Sequence, residues 1–166
     1  CHKISRSIIN YCIEHHAGTL VLGENKRWKQ DCDMGSQNNQ NFVSMPTGLL
    51  KQMIIYKASD AGIKTIMQEE SYTSQADITA MDYIPVYGVD AENAVFSGRR
   101  ISRSLYRCFN GMIINADCNG AANIMRKAIT DAWNSITDFS FLASPEVSGF
   151  HELNPLSISV KGIAAA

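Results

Sequence analysis

The sequence predicts an α/β fold that contains parallel strands. Helix-like and strand-like apolar patterns alternate over residues 2–68, in the order helix, strand, loop, helix, strand. Both strand candidates, "TLVLG" and "IKTIMQ", are short runs of the kind that parallel sheets bury on both faces. Parallel neighbours separated by a helix need a right-handed crossover, which is the basic unit of α/β architectures. A chain of 166 residues with 45% hydrophobic content can form one packed domain.

Two helices are predicted in this first part. Apolar residues recur at helical spacing over residues 2–16, and Gly18 is expected to end that helix. The second helix is predicted from Pro46 or Thr47 to Ala61, because Pro suits a first turn and the periodic positions run from Leu49 to Lys57. The stretch from Glu24 to Asn41 between them is too polar for a core.

The rest of the chain is predicted to contain an insert, one more helix and a tail. Residues 75–112 lack periodicity, and Pro85 and Gly88 indicate short strands and turns. "NADCNGAANIMRKAITDAW" predicts a third helix with Asn115 or Asp117 near its N-cap. The expected division is a helix-strand-helix-strand segment at 1–74, the insert at 75–112, the final helix segment at 113–137 and a poorly defined tail at 138–166.

Charge is segregated along the chain although the net charge is only −1. In "NKRWKQ", Lys26, Arg27 and Lys29 could contact phosphates while Trp28 stacks on a base, or Trp28 could pack against the first helix. A second basic island has four arginines that could contact a nucleic-acid duplex: Arg99, Arg100, Arg103 and Arg107. The alternative for both islands is the solvated face of an ordinary enzyme.

The cysteines exclude two kinds of site. Five cysteines, at positions 1, 12, 32, 108 and 118, form no C-x-x-C pair, so neither a disulfide framework nor a zinc knuckle is predicted. Reduced thiols and a cytoplasmic location are expected. No apolar run reaches the roughly 18–20 residues of a membrane span, so no membrane partner is expected. Because the chain starts without Met inside a predicted helix, we expect it to be part of a longer protein.

Carboxylates follow the predicted strands and open the third helix. Glu24 and Glu70 come after the two strands, at the edge where open α/β folds place their sites. Asp117 stands at the helix start, where a helix cap is the simpler explanation. Converging carboxylates repel one another unless cations lie between them, and Mg²⁺ or Mn²⁺ prefers such oxygen ligands. A cluster of this kind supports two-metal phosphodiester hydrolysis.

Six blocks stand out in order along the chain: "HKISRSIINYC", "TLVLGENKRWKQ", "NNQNFVSMP", "LLKQMIIYKASDAGIKTI", "EESYTSQA" and "INADCNGAANI". Together they resemble the carboxy-terminal half of TnpB, the OrfB protein of bacterial insertion sequences. The resemblance implies a partial RuvC-like domain of the ribonuclease-H type, in transposon-encoded proteins that use a guide RNA to cut DNA. Type V CRISPR effectors are relatives. It also implies that Asp117 is the third catalytic carboxylate and a metal ligand.

The second catalytic carboxylate departs from the usual family pattern. Gly23 stands where many members have Glu, and Glu24 is offset by one position, so its side chain should face the other side of the strand. A subset of the family, with the related Fanzors, has a relocated Glu ahead of "Y-T-S", which here is Glu70. The resemblance therefore implies Glu70 as the second catalytic residue and metal ligand, with Glu69 and Glu24 in reserve.

Two further departures limit the expected activity. The insert has only Cys108 where the family has two cysteine pairs, so it should fold without zinc, its acidic and Arg-rich parts serving the nucleic-acid channel or merely closing the domain. The family's first catalytic Asp precedes the helix at which this chain begins. We therefore expect Mg²⁺-dependent or Mn²⁺-dependent cleavage only in the full-length protein. The alternative is a nuclease-dead nucleic-acid-binding remnant. A small-molecule α/β enzyme would need a Gly-rich phosphate loop, which is absent.

Overall fold

The structure, a computed structural model, describes residues 1–24 and 46–146 and has a mixed α/β architecture. The helices are α1 (His2–Glu14), α2 (Thr47–Asp60) and α3 (Ala116–Ala128). The strands are β1 (Thr19–Glu24), β2 (Lys64–Glu69), β3 (Arg99–Arg100), β4 (Leu105–Arg107) and β5 (Ile113–Asn115). Of the described residues, 1–20 and 46–65 form one compact unit, and 21–24 and 66–146 form a second.

Strands β1 and β2 pair with each other in the predicted parallel sense. The amide of Lys64 donates to the carbonyl of Gly18 at 3.0 Å, and the amide of Glu70 donates to that of Glu24 at 3.3 Å. Both pairs have the same offset, since 64 − 18 = 46 and 70 − 24 = 46, and a constant offset defines parallel strands. Burial on both faces was the wrong expectation. The strands are half-buried, with Met67 exposed, because the described part of this sheet has only two strands.

The first unit is built on the packing of α1 against α2. Its buried apolar side chains are Ile9, Cys12, Ile54, Ala58 and Ile63. Both helices form where the apolar period predicts them. Helix α1 ends before Gly18, because His16 already adopts left-handed backbone at φ 52°. Helix α2 ends as predicted, with Gly62 at φ 73° in the left-handed conformation that favours glycine after a helix.

The second unit encloses a core between a small antiparallel sheet and α3. Strand β4 lies in the middle of the order β3-β4-β5, with Tyr106 paired to Arg100 on one side and to Ile114 on the other. Tyr106 is fully buried, and its hydroxyl donates to the carbonyl of Gln75 at 2.7 Å. Short strands are therefore present in the second half of the insert, as β3 and β4, whereas the part around Pro85 and Gly88 has turns and no strand.

The segment after α3 also contributes to this core. Phe139 and Leu142 are buried, the latter in a short 3₁₀ turn at Ser140–Ala143. Trp133 packs on the same cluster, and its indole N–H donates to the carbonyl of Ala122 at 2.9 Å. The sequence pattern fades after Asp138, yet the chain remains packed beyond it. None of the helices in the described ranges is both long and apolar enough to cross a membrane.

Candidate functional site

The side chain of Glu70 fills the space beside Gly23. Glu70 directly follows β2, and a Cβ atom built on Gly23 would lie 2.4 Å from Glu70 Oε2 and 3.0 Å from Ile124 Cδ1. The turn after Glu70 is fixed by Thr73, whose hydroxyl donates to the Glu70 carbonyl at 2.7 Å. A side chain at position 23 would thus compete with the Glu70 carboxylate for the same volume.

The two reserve carboxylates have different surroundings. Glu69 accepts the amide of Ser71 at 2.6 Å and the ammonium of Lys127 at 2.5 Å. Burial raises the pKa of Glu69, but the hydrogen bonds from Lys127 and Ser71 outweigh it, so the pKa lies below its ordinary value. Glu24 follows Gly23 in β1, and successive strand residues point to opposite faces. Of these three carboxylates, Glu70 is therefore the one that lies beside Gly23.

Asp117 lies in the first turn of α3 without capping it. The cap is Asn115, whose side-chain oxygen accepts the amides of Asp117 at 2.9 Å and Cys118 at 3.0 Å. The Asp117 carboxylate is 85% exposed and pairs with Arg100 at 3.2 Å. Exposed ion pairs contribute only about 0–1 kcal/mol, so Arg100 can exchange for another cation at low cost. The simpler explanation of Asp117 as the helix cap is wrong, because Asn115 has that role.

The described carboxylates do not form a complete metal site. Across residues 1–24 and 46–146, no three His, Cys, Asp or Glu side chains come close enough together to hold a metal ion. Glu70 and Asp117 provide the hard oxygen donors that Mg²⁺ or Mn²⁺ prefers, and a divalent ion of this type needs further oxygen ligands. The chemical type of these donors fits Mg²⁺ or Mn²⁺, but two carboxylates are too few to hold the ion.

Two buried asparagines of α3 hold the segment that follows Glu70. Asn119 accepts the amide of Ile78 at 3.2 Å and donates to the carbonyl of Ala76 at 2.9 Å. Asn123, one turn later, donates to the carbonyls of Ala76 at 2.7 Å and Thr73 at 3.0 Å. Sequence reasoning missed both residues. Their signal was two amides at i, i+4 spacing on an otherwise apolar helix face.

Buried carboxylates organise the fold of the insert. Asp77 accepts the amide and hydroxyl of Thr79 at 2.9 and 2.7 Å, and the amide of Phe109 at 2.6 Å. Asp82 accepts the amide of Asp77 at 2.9 Å and the amide and hydroxyl of Ser97 at 2.8 and 2.5 Å. Burial raises the pKa of the neighbouring Cys108 thiol to about 11, so it stays protonated. Burial of Asp77 and Asp82 favours, for these two residues, the alternative that the acidic part of the insert closes the domain.

The arginines of the second basic island are all exposed on the β3-β4 hairpin or its turn. Arg99 lies directly opposite Arg107, and Arg100 donates to the carbonyl of Arg103. Like charges placed opposite each other on a sheet destabilise it, which favours a bound anion here. The first basic island, Lys26, Arg27, Trp28 and Lys29, lies outside the described residues.

Comparisons with known proteins find relatives of one kind. A family model described as "Cas12f1-like, TNB domain" matches residues 48–124, which include Glu70 and Asp117. The CRISPR-associated endodeoxyribonuclease Cas12f1 of Sulfoacidibacillus thermotolerans is 33% identical over 124 residues, 74% of this chain and 25% of that protein. The CRISPR-associated endodeoxyribonuclease Cas12f2 of Micrarchaeota archaeon (strain CG1_02_47_40) is 30% identical over 141 residues, 79% of this chain and 24% of that protein. The chain thus spans about a quarter of the length of these relatives.

Proposed function

The chain is a TnpB-like, type V effector-like protein, and from that premise we propose that it supplies two carboxylates, Glu70 and Asp117, to the nuclease centre of a transposon-encoded, RNA-guided DNA endonuclease. The proposed scaffold is a partial RuvC-like domain. Its support is the parallel pairing of β1 with β2, which α2 connects, together with the third helix that carries Asp117. The proposed partners are DNA and a guide RNA.

One observation carries the assignment of Glu70. Its carboxylate occupies the volume beside Gly23, the position at which many family members have a catalytic Glu. A carboxylate from the neighbouring strand thus reaches the place that Gly23 leaves empty. Glu69 is already committed to Lys127, and Glu24 belongs to the opposite face of β1, so neither offers an equivalent group.

The role proposed for Asp117 depends on the cap that precedes it. Because Asn115 accepts the first amides of α3, the carboxylate of Asp117 stays available on the surface. Arg100 neutralises it in the absence of another cation. A divalent ion held by Glu70 and Asp117 would supply an activated water and charge stabilisation for phosphodiester hydrolysis. With two carboxylates in place, we expect the 166-residue chain alone to bind such an ion weakly and not to cleave DNA.

Binding of Mn²⁺ by the chain tests the carboxylate pair. In ¹⁵N-labelled protein, we expect millimolar Mn²⁺ to broaden the backbone amide signals around residues 70 and 117 first. Glu70→Gln or Asp117→Asn should each raise the Mn²⁺ concentration needed for that broadening by roughly tenfold, since each removes one charged ligand. Glu24→Gln is the matched control, because it removes the same charge one position from Gly23. Loss of broadening in Glu24→Gln with retention in Glu70→Gln would overturn the assignment.

Substitution of Gly23 tests the same geometry from the other strand. Gly23→Ala puts a methyl group where the Glu70 carboxylate lies, and that carboxylate is the flexible end of a side chain. We expect a stability loss below about 1 kcal/mol, because a side-chain rotation relieves the clash. Mn²⁺ binding should weaken as much as in Glu70→Gln. Unchanged Mn²⁺ binding in Gly23→Ala would show that Glu70 does not use this space as a ligand.

A second candidate function is nucleic-acid binding without cleavage. The ion pair between Arg100 and Asp117 favours it, because a carboxylate neutralised by arginine needs no metal ion. The exposed arginines of the β3-β4 hairpin would then carry the function. DNA or RNA binding that is insensitive to Mg²⁺ and to Asp117→Asn, but lost in Arg99→Ala/Arg107→Ala, would select this alternative.

A further inference from the structure

Helices α1 and α2 enclose a cationic pocket that plays no part in the carboxylate site. It is an open cavity of about 320 Å³ lined by His2, Lys3, Arg6, Tyr56 and Lys57. Among the described residues its lining therefore includes three basic side chains and an imidazole, and no carboxylate. All five residues belong to the first compact unit. The cavity lies at the lower end of the range of about 300–1,000 Å³ typical of ligand pockets.

Lys57 is the unusual member of this lining, because it is only 4% exposed. Its ammonium donates to the hydroxyl of Ser5 at 2.6 Å and to the carbonyl of His2 at 3.0 Å, and both acceptors are neutral. Burial, together with the charge of Arg6, lowers the pKa of Lys57. A buried charge that faces only neutral groups and another cation is costly.

A partly buried lysine, Lys127, shows which kind of partner Lys57 lacks. The ammonium of Lys127 donates to two backbone carbonyls and also pairs with the carboxylate of Glu69. Among the described residues the ion pairs are Lys127–Glu69 and Arg100–Asp117, and neither involves Lys57. The pocket thus combines a desolvated cation, two exposed cations and open space, and the described part of the chain places no anion in it.

We propose that this pocket binds a phosphate group of a nucleic-acid backbone. Lys3 and Arg6 are exposed at its rim and provide charge-assisted donors, and Lys57 provides the buried charge. Tyr56 is 46% exposed and presents an aromatic ring on which a neighbouring base can stack. Binding of phosphate follows from the pocket alone, and only its nucleic-acid source rests on the proposed function.

The test titrates the ¹⁵N-labelled 166-residue chain with inorganic phosphate and, separately, with a 5′-phosphorylated dinucleotide and an eight-nucleotide single-stranded RNA. We expect all three to shift the amide signals of residues 2–6 and 56–57, with the RNA binding most tightly. Arg6→Ala should weaken each interaction by roughly five- to tenfold, because it removes one charge-assisted donor. Lys64→Ala removes an exposed cation elsewhere in the same unit and should change binding by less than about twofold.

Lys57→Met separates binding from a purely structural role. If Lys57 only tied α1 to α2, Lys57→Met would lower the midpoint of thermal unfolding and leave phosphate binding intact. We expect the reverse, namely a folded protein by circular dichroism in which the phosphate-induced shifts are lost. Equal weakening by Arg6→Ala and Lys64→Ala would reduce the effect to general electrostatics and overturn the proposal. If RNA did not compete with inorganic phosphate for the pocket, the proposal that the bound phosphate belongs to a nucleic acid would be overturned.

The outcome is independent of the carboxylate site. Glu70→Gln and Asp117→Asn should leave the phosphate-induced shifts unchanged, since both residues lie in the second unit. Failure of the Mn²⁺ experiment with intact phosphate binding would reject the metal assignment and retain the pocket. Intact Mn²⁺ binding without phosphate-induced shifts would reject the pocket alone.

Discussion

The two compact units bury charge in opposite ways. In the second unit, Asp77 is fully buried and Asp82 nearly so, and each carboxylate accepts three hydrogen bonds from amides and hydroxyls. In the first unit, Lys57 is just as buried, but its ammonium faces two neutral oxygens and the cation Arg6. A buried charge whose hydrogen bonds are all made within the protein stabilises the fold. A buried charge without a counter-charge marks a place where a ligand of opposite charge can bind.

The acids of the insert have different structural roles that their positions in the sequence do not reveal. In the printed sequence, Asp77 and Asp82 cannot be distinguished from Asp90 or Glu92. Each also has a donor far along the chain, since Phe109 is 32 positions after Asp77 and Ser97 is 15 positions after Asp82. The network brings these segments of the insert together. Hydrogen bonds to carboxylates can thus link the same segments without a metal ion.

Loss of a saturated carboxylate should have the largest effect. Asp77→Ala removes a fully buried acceptor from the partly buried hydrogen bonds of the Thr79 and Phe109 amides, and a donor that loses its partner away from water costs about 1–3 kcal/mol. We expect the free energy of unfolding in urea to fall by roughly 2–6 kcal/mol, a large part of the stability of a small domain. Asp131→Ala, at an exposed acid of the same unit, should change it by less than about 0.5 kcal/mol.

The same network predicts that the insert does not depend on zinc. Addition of EDTA should leave the midpoint of thermal unfolding of the wild-type chain unchanged. A lower midpoint in EDTA that zinc restores would contradict the structural role given to Asp77 and Asp82. If Asp77→Ala lowered the free energy of unfolding no more than Asp131→Ala does, the contrast between the two units would fail.

An intermediate effect is expected for Lys127, the partly buried lysine that has a carboxylate partner. Lys127→Met leaves Glu69 without its ammonium and frees the carbonyls of Ser71 and Pro85. We expect a loss of about 1–3 kcal/mol at neutral pH. Because the folded pKa of Glu69 is lowered, its stabilisation is present above the unfolded pKa of about 4.3 and is lost as pH falls through the folded pKa. Wild type should therefore approach the stability of Lys127→Met in acid, which urea unfolding at several pH values can measure.

Local patterns predict the helices but not these partners. The apolar period places α1 and α2 within a few residues, and the side chain of Asn115 caps α3 as one of the two predicted alternatives. Position 57 falls within the helical period of α2, but only the packing of α1 brings Ser5 within reach of its ammonium. Glu70 could be proposed from a resemblance, whereas its closeness to Gly23 depends on the register of β1 and β2. Long-range pairing is the information that periodicity does not contain.

The smallest effect is expected for the buried lysine without a carboxylate. Lys57→Met replaces a buried charge that has no counter-charge with an apolar side chain of similar length, so the free energy of unfolding should stay the same or rise by up to about 1 kcal/mol at neutral pH.

The sign of the pH dependence of this effect follows from a folded pKa of Lys57 that lies below the unfolded value. As pH rises through the folded pKa, folded Lys57 loses its proton while the unfolded chain keeps it until about pH 10.4, so wild-type stability increases. The difference between Lys57→Met and wild type should therefore shrink from pH 7 to pH 10 in urea unfolding, because His2, Lys3, Arg6 and Tyr56 are present in both proteins. A loss in Lys57→Met as large as that in Lys127→Met would mean that neutral oxygens satisfy a buried ammonium as well as a carboxylate does, and the contrast between the two units would fail.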